Sequence, residues 1–182
     1  MAVVVCLDPG HGGEDPGAVG PQGLREAAVV LDVVLHALPL LEEQGFEVVC
    51  TRTSDTYVPL AARAALANRH GAHLLVSVHC NGFLNPRVGG TEVWYFPGSR
   101  SGLAAARRIQ ARLVEALGTR DRGVKAGEHL YLLRATRMPA VLAEVAFITN
   151  PNEESLLADP EARRRIAGAL VQGVVDWVRQ AR

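Results

Sequence analysis

Four stretches of this sequence carry residues that can bind a metal ion or move a proton. The Gly- and Pro-rich loop at 8–23, DPGHGGEDPGAVGPQG, holds Asp8, His11, Glu14 and Asp15; Glu26 opens the segment behind it; SVHCN supplies His79 and Asn81; and Glu144 sits inside AVLAEVAF. Two imidazoles and one carboxylate form a common shell for a catalytic zinc, which keeps a fourth position for water. Neutral imidazoles and one carboxylate leave such a site a net charge of about +1, so the metal stays a Lewis acid and brings its water toward a pKa of ~7. A second carboxylate outside the shell then takes the proton and passes it to a leaving group.

Singly, these residues have plainer explanations. A histidine ending a strand is commonly structural or exposed, and a Glu in a first helical turn interacts favourably with the helix dipole. Asp8 is either a turn residue before Pro9 or an acceptor that fixes the tautomer of a ligand imidazole. Glu144 stands apart, because an unpaired charge within an apolar strand is costly.

The elements that must position these groups follow from hydrophobic patterning. Short runs rich in Val or Leu predict strands at Val3–Leu7, Glu47–Thr51, Leu74–Val78, Glu92–Phe96, Leu130–Leu133 and Ala140–Val145. Helical periodicity covers Arg25–Gln44, ending before Gly45 and with Pro39 as an expected kink, then Leu60–His70, Gly102–Leu117 and Glu161–Arg179. Alternation of strand and helix predicts an α/β fold around a mostly parallel sheet with helices on both faces. Ligands gather beyond the carboxyl ends of such strands, and two imidazoles, His11 and His79, and two carboxylates, Glu26 and Glu144, reach that edge from four separate segments, beside Asp8, Glu14, Asp15 and Asn81.

Composition bounds the rest. The chain has 182 residues, with 19 Lys plus Arg against 19 Asp plus Glu and 48% hydrophobic residues. A balanced charge argues against a nucleic-acid partner, and the apolar content against disorder. One domain over 1–182 is expected, with a core large enough to need no disulfide or structural metal. Cys6, Cys50 and Cys80 form neither a CxxC pair nor an even framework. No stretch approaches the ~18–20 apolar residues of a membrane span. The amino terminus reads as a buried strand and not as a signal peptide. Lys125 is the single lysine.

These blocks resemble, in register, the zinc-dependent N-acetylmuramoyl-L-alanine amidases of the Amidase_3 family. The resemblance rests on DPGHGGEDPGAVGPQGLRE at 8–26, TRTSD at 51–55, LAARAALAN at 60–68 and VSVHCN at 76–81. It continues through GGTEVWYF at 89–96, RDRGVK at 120–125 and PAVLAEVAFITNPNEE at 139–154. It implies a six-stranded mixed sheet flanked by helices, one zinc held by His11, Glu26 and His79, and Glu144 as the catalytic carboxylate. It also implies peptidoglycan as substrate, cut at the amide between the lactyl group of N-acetylmuramic acid and L-alanine. A monomer acting in the cell envelope, as a mature or excised domain, is the corresponding expectation. Asn81 and Arg122 are candidates for substrate contact, Arg122 being otherwise a solvated loop charge. The sequence departs from the family pattern at Ala27, Cys80 and Ala146, none of them a ligand. The stretch PGSRS after Phe96 has no room for the long helical insertion that blocks larger, inhibited relatives.

Three rival readings remain at this point. Cys80 with a histidine would make a thiol hydrolase, although alternation along a strand turns Cys80 away from the face of His79. A wall-binding or regulatory module would keep the fold without the chemistry. A zinc peptidase or deacetylase would share the metal.

Overall fold

The computed structural model describes residues 2–180, so the outermost ends of the expected 1–182 domain lie outside the described residues. The elements run β1 (Val4–Pro9), α1 (Glu26–Glu43), β2 (Glu47–Cys50), α2 (Leu60–Arg69), β3 (Leu74–Asn81), β4 (Thr91–Tyr95), α3 (Arg100–Leu117), β5 (Asp121–Ala126), α4 (Tyr131–Ala135), β6 (Ala140–Phe147), α5 (Pro151–Ala158) and α6 (Pro160–Gln180). They build one six-stranded mixed sheet of order β2-β1-β3-β6-β4-β5. The first four of these run parallel; β4 is antiparallel to β6, and β5 follows β4 in parallel.

The sheet is covered unequally. On one face Val5, Leu7, Val76, Val78, Val93, Val141, Ala143 and Val145 meet the long helices α1, α3 and α6. Burying these aliphatic side chains, each about 1.5–3 kcal/mol, supplies most of the driving force. On the other face Val4, Cys6, Leu75, Ala140 and Leu142 meet a smaller cluster, Ala67 of α2, Ala72 and Leu133 of α4, with Leu66, Phe96, Leu130 and Met138 only partly buried around it. The strand period of two therefore puts Asp8, Ser77, His79 and Glu144 on the thinly covered face, since Asp8 pairs with Ser77 and His79 with Glu144.

Five of the six expected strands are present. The expected strand at Leu130–Leu133 is instead the short helix α4, whose Leu132 and Leu133 are each 3% exposed. The missing strand is β5, at the sheet edge, where Asp121, Arg122 and Lys125 replace apolar alternation. An edge strand needs only one apolar face and is protected by charge. Helix α1 runs through Pro39 as one element and ends as expected, with Gly45 at φ 84° just beyond it. The α5 helix, capped by the Asn150 side chain, was not expected.

Candidate active site

Residues 10–25 form a loop pinned by two buried arginines. Arg52 donates to the Pro9, Gly10 and Ala27 carbonyls. Arg63 donates to the Pro9, His11 and Val58 carbonyls and to Asp8 Oδ1 at 2.8 Å. These charge-assisted bonds satisfy carbonyls that the irregular backbone leaves without a ladder. Further along, buried Glu154 of α5 accepts from the backbone N–H groups of Gln22 and Leu24, closing the loop from behind.

Within this frame the loop delivers His11, the one non-glycine residue with positive φ (58°) among the described residues. Its Nδ1 lies 2.8 Å from Asp15 Oδ2, which turns Nε2 toward Glu26 Oε1 at 3.2 Å. From β3, His79 Nδ1 approaches the same oxygen at 2.9 Å, and the Cys80 N–H donates to it at 2.9 Å. The other Glu26 oxygen accepts from the Ala18 N–H. Two glycines make this closeness attainable. A Cβ on Gly10 would overlap the His79 ring, and one on Gly17 (φ 66°) would stand 2.5 Å from Glu26 Oε2 and 2.7 Å from the His11 ring.

One ligand atom each from His11, Glu26 and His79 lies within 4.8 Å of the others. Four donors at 2.0–2.2 Å from a tetrahedral ion stand about 3.4 Å apart; the two nitrogen to oxygen distances, 3.2 and 2.9 Å, are shorter, hydrogen-bonded contacts that a small outward shift would bring to that spacing. The donor set, two nitrogens and one carboxylate with one imidazole anchored through its second nitrogen, fits zinc. With no ion bound, the same negative charge holds protons on the imidazoles, which a metal ion must displace. Burial opposes charge on both imidazoles, but Glu26 outweighs it for His79, and Glu26 with Asp15 raises His11 to about 9. Burial likewise pushes Glu26 up, and the two histidines more than reverse it, holding it well below the carboxylate range.

Glu144 faces this cluster from the adjacent strand, in register with His79. Its Oε2 is sealed from solvent and has no hydrogen-bond partner among the described residues. Burial, reinforced by the negative charges of Glu26 and Glu92, pushes its pKa up to about 7 against the opposing pull of His79. A carboxyl near neutrality suits both taking and giving a proton. Beside His11 and His79 opens a cleft of about 210 Å³, walled by Tyr57, Val58 and Leu60.

The other sequence candidates are placed differently. Asp8 does not touch either imidazole. It lies in β1, fully buried, and is consumed by Thr51 Oγ1, Arg63 and Ser77 Oγ, so the orienting acceptor for His11 is Asp15. Arg122 is not a loop charge but part of β5, paired to Glu92 at 2.6 Å. Asn81 donates to Glu92 and accepts from the Gly82 N–H, so both ends of its amide are engaged within the protein. Cys80 points into the core, 2% exposed, where burial raises its thiol well above the ordinary value. That removes the ground for a thiol nucleophile. Glu14 is exposed. Sequence reasoning missed Glu92, Arg52, Arg63 and Glu154.

Replacing Asp15 with Ala frees the His11 ring and its tautomer. Zinc affinity is expected to fall 10–100-fold, read by competition with a chromogenic chelator; an unchanged affinity would remove Asp15 from the site.

A family model described as N-acetylmuramoyl-L-alanine amidase matches residues 5–176. The chain is 31% identical over 218 residues to N-acetylmuramoyl-L-alanine amidase AmiA of Escherichia coli (strain K12), covering 96% of this chain and 75% of that protein. Among solved structures, N-acetylmuramoyl-L-alanine amidase AmiC2 of Nostoc punctiforme superposes with a TM-score of 0.92 at 34% identity, covering 97% of each chain. The catalytic domain of CwlV, an N-acetylmuramoyl-L-alanine amidase from Bacillus (Paenibacillus) polymyxa var. colistinus, does so with a TM-score of 0.93 at 33% identity, covering 97% of this chain and 98% of that one.

Proposed function

The chain belongs to the Amidase_3 family of N-acetylmuramoyl-L-alanine amidases, and on that premise we propose how its own residues cut the amide between the lactyl group of N-acetylmuramic acid and the L-alanine of the peptidoglycan stem peptide. The family is generally zinc-dependent, and we assign His11, Glu26 and His79 as the groups that hold one ion per chain. When bound, zinc supplies Lewis acidity, which lowers the pKa of water toward neutrality and draws charge from an amide carbonyl.

The protein's part is positioning and proton transfer. Asp15 keeps the His11 ring oriented, and the Cys80 and Ala18 N–H groups keep the Glu26 carboxylate in place. Glu144, as carboxylate, takes a proton from the attacking water. It then gives that proton to the amide nitrogen as the C–N bond breaks, so L-alanine leaves as an amine and Glu144 returns to its starting state. The observation that carries this reading is the orphaned Glu144 Oε2, buried, uncompensated and facing the two histidines. A wall-binding module that had lost chemistry would have no use for that penalty. Among the sequence candidates for substrate contact, we assign Arg122 to the substrate and Asn81 to supporting Glu92. We place the site of action at the cell envelope, where the polymer lies; no described helix is long and apolar enough to cross a membrane.

Chelation is expected to abolish release of peptide from defined muropeptides, and about one equivalent of zinc to restore it. Mass spectra of the products should show intact peptides with a free L-alanine amino terminus, which separates an amidase from a peptidase or deacetylase. Full activity of metal-free protein would overturn the assignment, and stoichiometric zinc without turnover on any wall preparation would favour the binding module.

A further inference from the structure

Glu92, 2% exposed, lies directly opposite Glu144 on the neighbouring strand and gathers charge around itself. Its Oε2 accepts from Arg122 Nε at 2.6 Å and from Lys125 Nζ, while Oε1 accepts from Asn81. Burial pushes the Glu92 carboxyl up, but the hydrogen bonds from Lys125 and Arg122 outweigh it and keep it ionised. One carboxylate thus pairs directly with two cations, while Glu153, the other acid that feels Arg122, spends its oxygens on the Gly90 and Phe147 N–H groups.

The backbone is shaped to make this arrangement. Arg122 and Lys125 are three residues apart, an odd spacing that sends side chains to opposite faces of a regular strand. Here the pairing with β4 slips between Thr91 and Val93, where Asp121 to Val124 spans one residue more than its partner, and Gly123 takes a φ of 75°. A bulge of this kind re-aims a side chain and is rare between parallel strands. It turns both cations onto Glu92. Aromatic rings flank them: the Arg122 guanidinium carbon is 4.9 Å from the Phe147 ring centre, and Lys125 Nζ is 5.2 Å from that of Trp94, against which the exposed His129 ring packs. The two side chains remain 25% and 32% exposed, and Arg122 Nη2 donates to no group among the described residues. A pair anchored from below with donors still open above is a receptor for an anion.

The pair meets a peptide that leaves Glu144 across β4 toward β5. Neighbouring strands are about 4.8 Å apart, and consecutive residues of a peptide 3.8 Å, so a group one residue beyond an amide held at Glu144 comes within reach of Arg122 and Lys125. The carboxyl of N-acetylmuramic acid is itself consumed in the scissile amide, so an anion at that distance belongs to the peptide. We propose that Arg122 and Lys125, held by Glu92, form a subsite for a carboxylate on the residue that follows L-alanine, so that peptides with that group free are preferred over those in which it is a carboxamide. This rests on the amidase reading above.

The test is kcat/KM on two muramyl dipeptides identical except for carboxylate or carboxamide on the second residue. The zinc-loaded enzyme is expected to favour the carboxylate about tenfold or more, and Lys125→Met to reduce the ratio toward one by a larger loss on the carboxylate than on the carboxamide substrate. Because Lys125 is the only lysine, acetylating the folded protein should repeat the effect without a mutation, whereas reductive methylation, which keeps the charge, should preserve the preference. Equal rates on both substrates in the unmodified enzyme, or equal losses on both in Lys125→Met, would overturn the subsite and leave the amidase standing. No cleavage of either substrate would overturn the amidase reading and the subsite with it.

Discussion

Glu144→Gln lowers kcat on muropeptides by about 10²–10⁴-fold, the ordinary contribution of a positioned acid and base, while zinc content stays at the wild-type level. The isosteric amide cannot accept the water's proton, yet it lies outside the three groups assigned to the metal. The pH profile carries a second signature. Glu144 must be ionised to act as base, and burial has raised it to about 7 in the metal-free site. The positive charge of bound zinc pulls it lower, so the acid limb of kcat/KM lies below pH 7 in the wild type and vanishes from the residual rate of the variant.

Stability moves the other way. The unfolded carboxyl, near 4.5, loses its proton before the folded one does, so Glu144 costs the metal-free protein stability progressively between pH 4.5 and about 7 and fully above it. Metal-free Glu144→Gln is therefore more stable than wild type at pH 8, by up to about 3 kcal/mol, in denaturant titrations. Equal stability at pH 8 together with unimpaired turnover would leave Glu144 with no role.

The second large effect is expected at a buried residue that underlies the site. Arg63→Ala removes the donors that hold the Pro9, His11 and Val58 carbonyls and strips buried Asp8 of its charged partner. Breaking a buried pair from one side costs about 3–5 kcal/mol, which for a chain of this length lowers Tm by roughly 6–20 °C. Zinc affinity falls as well, because the loop carrying His11 loses its anchor. Arg63→Lys keeps the charge and loses the fan of donors, and should lie between the two in calorimetric Tm. A loss under about 1 kcal/mol in Arg63→Ala would show that Arg52 alone holds the loop.

The parts legible in the sequence were those governed by local pattern. Five strands announced themselves as aliphatic runs, and His11, Glu26, His79 and Glu144 fell where loops and strand ends converge. What escaped depends on partners distant in sequence. Arg63 reaches Asp8 across 55 residues, and Glu154 reaches Gln22 across 132, and nothing near an arginine in a helix tells that it is 2% exposed. Strand β5 escaped because its charges answer to Glu92 and not to a core. Glu92 was within reach, since a carboxylate inside TEVWY is as anomalous as one inside AVLAEVAF.

The site is assembled from two kinds of backbone. His79 and Glu144 are carried by strands paired on both sides in the middle of the sheet, whereas His11 stands on an irregular loop and Glu26 on the helix turn that follows it. Amides of the central strands should exchange hydrogen only through global unfolding, while those of residues 10–25 exchange through local opening. Zinc binding should slow the second group far more than the first. The proton carrier and one imidazole then stand as a template before the metal arrives, and the loop closes onto them, so metal capture by this chain is a small, local folding reaction.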